Sequence, residues 1–241
     1  MCEFYSFLTD EKGNRYAMNH QSRLDIRNDK SDLREDSHAS IAELWHIDED
    51  KCNKYEFNPL TKELVLDMQN LNFNDKELIS IDELLEEVKE AVPELIIKPI
   101  ISPLKDIKFE GEATDEIIEL VKEWSKVRDS VRDAVRDSVK YSIGYAVRHS
   151  VGHSVWNSVT DFVRDSVEYS VVDSVWDYVC YSGRSSASDF VCAYVSSFFN
   201  INYSYDFSSS IKLWNMGLVP SFDGKTWRLH SYKGIVWERK L

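Results

Sequence analysis

The sequence predicts an α+β protein in which hairpin-rich N-terminal and C-terminal globular parts are joined by a long tetrapeptide-repeat helix. Three observations predict it. Short aromatic and β-branched segments separated by turn residues occupy both ends of the 241-residue chain. A strict four-residue repeat fills residues 127–182. An apolar stripe at helical spacing after Thr114 runs into that repeat without a break. The implied division is an acidic α+β domain over 1–113, a helical array over 114–182 and a β-rich domain over 183–241.

The first element is a hairpin, with Phe4 to Leu8 and Arg15 to Met18 flanking the turn Asp10-Glu11-Lys12-Gly13-Asn14. Residues 20–36 are polar and give little periodic signal. Ser37 caps a helix on which Ile41, Leu44 and Trp45 share a face. Tyr55 to Phe57 and Glu63 to Met68 form a second hairpin through Asn58-Pro59-Leu60-Thr61. Ser80 and Glu83 make a capping box for a helix bearing Leu84, Leu85 and Val88, stopped before Pro93. Leu95 to Ile101, interrupted by Pro99, reads as an edge strand or an extended connector. Thr114 then caps a helix carrying Ile117, Ile118, Val121, Trp124 and Val127. Near the C-terminus, Phe222-Asp223-Gly224-Lys225 is a strong turn, and Trp227 to Leu229 pairs with Ile235 to Trp237 across Tyr232-Lys233-Gly234.

The array places valine or isoleucine at fourteen positions four apart: Val127, Val131, Val135, Val139, Ile143, Val147, Val151, Val155, Val159, Val163, Val167, Val171, Val175 and Val179. The residue three further on is Ser or Ala at twelve of the fourteen, Phe162 and Tyr178 being the exceptions. On a helix a step of four turns roughly 400 degrees, so the valine column drifts about 40 degrees per repeat and circles the helix in about nine repeats. A single flat partner cannot cover such a column. The valines are therefore the predicted oligomerisation residues of a homo-oligomer, in a right-handed assembly or one whose phase is reset at Gly144 or Gly152. Small residues beside each valine let backbones approach closely. A β-solenoid is the structural alternative, since Val, Ser, Tyr and Trp suit strands. Against it, a strand would place the valines and the Asp/Tyr/His column on one face. Asp, Tyr, His and Asn interconvert by first-base codon changes, which points to a short DNA unit duplicated in tandem.

Charge and cysteine usage bound the partners. Residues 1–126 carry 16 Lys and Arg against 30 Asp and Glu, whereas 127–241 carry 13 against 12. Such an acidic half would repel nucleic acid and anionic lipid and would be drawn to basic partners, a basic host protein among them. A solvated surface that maintains solubility is the plainer reading. No apolar run approaches the ~20 residues that cross a bilayer, and Met1-Cys2-Glu3-Phe4 lacks signal-peptide character, so cytoplasmic folding is expected, with virion association left open. Cys2, Cys52, Cys180 and Cys192 have no metal-binding or disulfide spacing.

The candidate chemistry is weak. His149 and His153 are four apart, a metal-binding separation on a helix, yet they sit in the column that elsewhere holds Asp or Tyr. Cys2 lacks the glycine-rich context of an N-terminal nucleophile. Asp36-Ser37-His38 unites carboxylate, hydroxyl and imidazole, but consecutive side chains diverge, so an Asx or Ser cap explains them better. Ile41 to Cys52 has a helix-turn-helix spacing, but Asp48-Glu49-Asp50 would face phosphate. With eight glycines and no phosphate-binding loop, nucleotide hydrolysis is unsupported. No catalytic residue, cofactor or metal is predicted, and the chain reads as a non-enzyme.

Several segments carry a resemblance: Met1-Cys2-Glu3-Phe4-Tyr5-Ser6-Phe7, Asp36-Ser37-His38-Ala39-Ser40-Ile41-Ala42, Asn53-Lys54-Tyr55-Glu56-Phe57-Asn58-Pro59, Ser154-Val155-Trp156-Asn157, Ser174-Val175-Trp176-Asp177, and Val219-Pro220-Ser221-Phe222-Asp223-Gly224-Lys225-Thr226-Trp227-Arg228-Leu229. With these the chain resembles uncharacterised proteins of gut bacteria and their phages that carry Ser-Val-Trp-Asp or Ser-Val-Arg-Asp runs. The resemblance implies a phage or prophage origin and says nothing of catalytic residues. The expected function is a phage-associated self-assembling scaffold, or alternatively a phage-encoded inhibitor or decoy that engages a host protein through the acidic half.

Overall fold

The structure, a computed structural model, describes residues 5–35, 37–142, 151, 154–155 and 189–240. The chain divides into two compact units, one of Met1–Pro99, Val139–Val151 and Phe199–Ile201, the other of Ile100–Ser138, Gly152–Phe198 and Asn202–Leu241.

The first unit is built on a four-stranded antiparallel sheet of β1 (Tyr5–Thr9), β2 (Arg15–Ala17), β3 (Asn53–Asn58) and β4 (Glu63–Met68), in the order β2-β1-β3-β4. Both predicted hairpins are present. The first turn closes because Asp10 accepts the backbone N–H groups of Lys12 and Asn14, each at 2.9 Å, while Gly13 takes φ +78°. The second closes because the Asn58 side chain accepts Leu60 N–H at 3.0 Å.

Alternation then assigns the two sheet faces. Phe7 pairs with Tyr55 and Tyr5 with Phe57, and the Phe7 and Tyr55 rings stack at 5.2 Å. On the opposite face Leu8 joins Met18, Ile41, Ala42 and Cys52 in a buried core. Leu8, Met18 and Ile41 each contribute about 2 kcal/mol on burial. Three helices among its described residues lie wholly within the unit: α1 (His20–Arg27), α2 (His38–Trp45) and α3 (Ile81–Ala91). The capping box reading holds in one direction, since Ser80 Oγ accepts Glu83 N–H at 3.3 Å, and Leu84 and Val88 are buried.

Two expectations need correction. The segment 20–36 is not featureless: Asn19 caps α1 through Ser22 N–H at 2.9 Å. Ser37 occupies the cap position of α2 but its side chain makes no capping bond. Trp45 lies one turn beyond Ile41 on α2 but outside the buried cluster. It is 46% exposed, held by Nε1 donating to Ala17 O at 2.9 Å and by an edge contact with Tyr16. Between the two readings of Leu95 to Ile101 the connector prevails, with only an isolated bridge from Leu95 to Phe199.

The second unit contains α4 (Asp115–Ser142), whose C-terminal end extends beyond it, a helical segment α5 over 189–196, α6 (Ser208–Asn215), and an antiparallel sheet of β5 (Val219–Phe222), β6 (Thr226–Ser231) and β7 (Gly234–Lys240). Thr114 starts α4 as predicted, its hydroxyl accepting Ile117 N–H at 3.4 Å. The unit's core is an aromatic cluster. Trp124 meets Phe190 edge-on at 5.5 Å, and Trp214 stacks on Tyr194 at 4.1 Å. Tyr194 Oη accepts Ile101 N–H, and Trp214 Nε1 donates to Ile101 O, so the cluster also satisfies a connector peptide. Among the described residues no helix is long and apolar enough to cross a membrane.

Candidate functional site

Residues 127–142 of the array belong to α4, and Val151, Ser154 and Val155 are also helical. The helical lead-in therefore persists into the repeats, and no solenoid turn interrupts 127–142. Of the valine column, Val131, Val135, Val151 and Val155 are buried within a single chain and Val127 is half-buried. Ile143, Val147, Val159, Val163, Val167, Val171, Val175 and Val179 lie outside the described residues, as do Gly144, Gly152, His149, His153, Phe162, Tyr178, Cys2, Cys180 and Asp36. The side chain of Val139 does so too.

Arg128, the first arginine of the repeat, has a structural role that spacing did not show. Arg128 places its guanidinium 5.0 Å from the Phe222 ring and 5.5 Å from the Trp227 ring, and it pairs with Asp129 at 2.6 Å. Phe222 and Trp227 stack on each other at 4.9 Å, forming the platform for this cation. Asp223 fixes the turn between them by accepting Thr226 N–H at 2.7 Å and Arg228 at 2.6 Å.

A second constellation lies in the first unit. His38, the first residue of α2, is buried and its Nε2 lies 3.0 Å from Tyr55 O. A carbonyl only accepts, so Nε2 carries the proton, and in the neutral ring Nδ1 presents its lone pair. That nitrogen is 3.7 Å from Asp67 Oδ2. Glu56 on β3 completes a group whose donor atoms all lie within 4.8 Å of one another. Asp67 reaches it through an irregularity in the sheet: Tyr55 pairs with Leu66 and Lys54 with Met68, leaving Asp67 as the extra residue of a bulge.

Two other polar sites have plainer explanations. Ser221 Oγ and His230 Nε2 are 2.7 Å apart on β5 and β6, but both residues are buried. Burial, assisted by the charge of Arg228, holds the His230 imidazole down to about 4. A neutral histidine sealed from substrate cannot serve a nucleophile, so this pair reads as core hydrogen bonding. An open cavity of about 430 Å³ is lined by Tyr5, Met18, His20, Glu87 and Glu90 among others. Burial pushes the Glu87 carboxyl up against the opposing pull of Arg15, which lies 2.8 Å away. Cys52 is a buried free thiol raised by burial, the inert condition expected of a core cysteine.

The molecule is thus defined as an α+β protein with two antiparallel sheets and a repeat-bearing helix. Comparison with protein-family models, with curated proteins and with solved structures found no match to the chain.

Proposed function

We propose that this chain is a non-enzymatic, phage-associated scaffold that self-associates through the 127–182 array. The observation that carries the reading is α4, a helix running from the Thr114 cap into the period-four valine column. On a helix that column drifts about 40 degrees per repeat, so partner helices must wrap round it to cover the valines that come into view. Val131, Val135, Val151 and Val155 are buried in one chain, so on this reading self-association falls to the rest of the column. Small residues beside them suit close backbone approach.

Sedimentation of the intact chain over a wide range of concentration tests the proposal. Assembly that Val163→Asp with Val171→Asp reduces, without loss of helix signal, is the expected result. A monomer at every concentration removes the reading.

A second reading, an inhibitor or decoy that binds a basic host protein, is favoured by one surface. Asp82, Glu86 and Glu90 recur every four residues along α3, and all three are exposed. Binding through that ridge weakens steeply with salt, whereas apolar self-association does not.

A further inference from the structure

We propose that His38, Glu56 and Asp67 form a binding site for one first-row divalent metal ion of the zinc class. The three residues come from separate elements, the start of α2, β3 and the bulge in β4, yet their donor atoms converge within 4.8 Å. A four-coordinate ion with donors at about 2.1 Å has donor-to-donor edges of about 3.4 Å, so the 3.7 Å between His38 Nδ1 and Asp67 Oδ2 needs only a small contraction.

The histidine is already arranged as a ligand. Its Nε2 proton is held by Tyr55 O, which fixes the ring and leaves the Nδ1 lone pair facing the carboxylates. Metal-bound histidines are oriented in this way by a carbonyl on the far nitrogen. The imidazole and the Glu56 side chain are also largely withdrawn from water, the residues being 7% and 9% exposed. An ion set among these atoms would be met by one imidazole nitrogen and two carboxylates, donor types that a divalent cation of this class accepts. The Asp67 side chain is 51% exposed, so an ion can enter and exchange from that side.

The donor set selects the ion. Imidazole favours zinc, iron, nickel and copper over magnesium and calcium, while the absence of a thiolate removes the preference for cuprous ion. Water completes the coordination. This site is independent of the array and of the scaffold reading.

The test uses the full chain, stripped with chelator and titrated with cobalt(II) and then zinc(II). One cobalt per chain should bind with visible ligand-field absorption, and zinc should displace it. Asp67→Ala, a change at a half-exposed position, should weaken binding about tenfold or more with the fold intact by circular dichroism. His38→Gln should abolish the absorption, and the double variant His149→Gln with His153→Gln should leave it unchanged. No cobalt absorption, unaltered affinity in Asp67→Ala, or loss of binding in the array double variant would each overturn the proposal.

Discussion

The two sheets differ in how far their buried polar groups are linked. In the N-terminal sheet β1 and β3 are buried along their whole length, and Asn53 and Tyr55 on β3 are joined into a network, although Ser6 Oγ on β1 finds no partner among the described residues. Asn53 donates to Asp75 at 2.8 Å and accepts the backbone N–H groups of Asn70 and Leu71 at 3.0 and 2.9 Å, while Tyr55 donates to Asp75 at 2.6 Å. The C-terminal sheet instead buries a pair, Ser221 and His230, and His230 Nδ1 finds no partner among the described residues. Networked polarity specifies the path of the chain. An isolated pair leaves a titratable weakness, since nothing compensates a proton added to the histidine.

The largest effect should come from breaking the network. Asn53→Ala orphans two backbone donors and removes a partner of Asp75, which should cost about 4 kcal/mol in denaturant unfolding. Substituting Ser221 by Ala should cost far less, because only one bond is lost. Equal losses would erase the contrast between the sheets.

Next in size is a pH effect confined to the second sheet. His230 is held down to about 4 in the folded chain, against an ordinary value of 6.5. Its contribution is complete above pH 6.5 and is lost as pH falls from there towards 4, because the unfolded chain takes up the proton first. The full loss is about 3 kcal/mol. Stability measured across that window should fall in the parent and flatten in His230→Gln. An unchanged slope in the variant would place the titration elsewhere.

The smallest effect concerns the junction of the array with the C-terminal sheet. Arg128→Ala removes a cation from the Phe222 and Trp227 platform and should cost about 1 kcal/mol in thermal or denaturant unfolding. No measurable change would mean that the platform stands without it.

What the sequence displayed was local. Both hairpins, the Ser80 and Thr114 helix starts and the Asp223 turn were legible because a few adjacent residues decide them. Helix α1 was not, since its one fully buried side chain is Arg23, which periodicity counts as polar. The aromatic core of Trp124, Phe190, Tyr194 and Trp214 was also missed, because its members come from three helices. Site residues were harder still. His38 stood out only for its neighbours Asp36 and Ser37, whereas its partners Glu56 and Asp67 arrive through strand register and a bulge that no spacing announces. The valine column was plain from its period, but which valines a single chain buries depends on packing.

Sedimentation of the intact chain across concentration tests the central claim most directly. The scaffold account predicts assemblies larger than one chain that grow with concentration and persist in high salt. A chain that remains monomeric throughout, with its helix content intact, would contradict it.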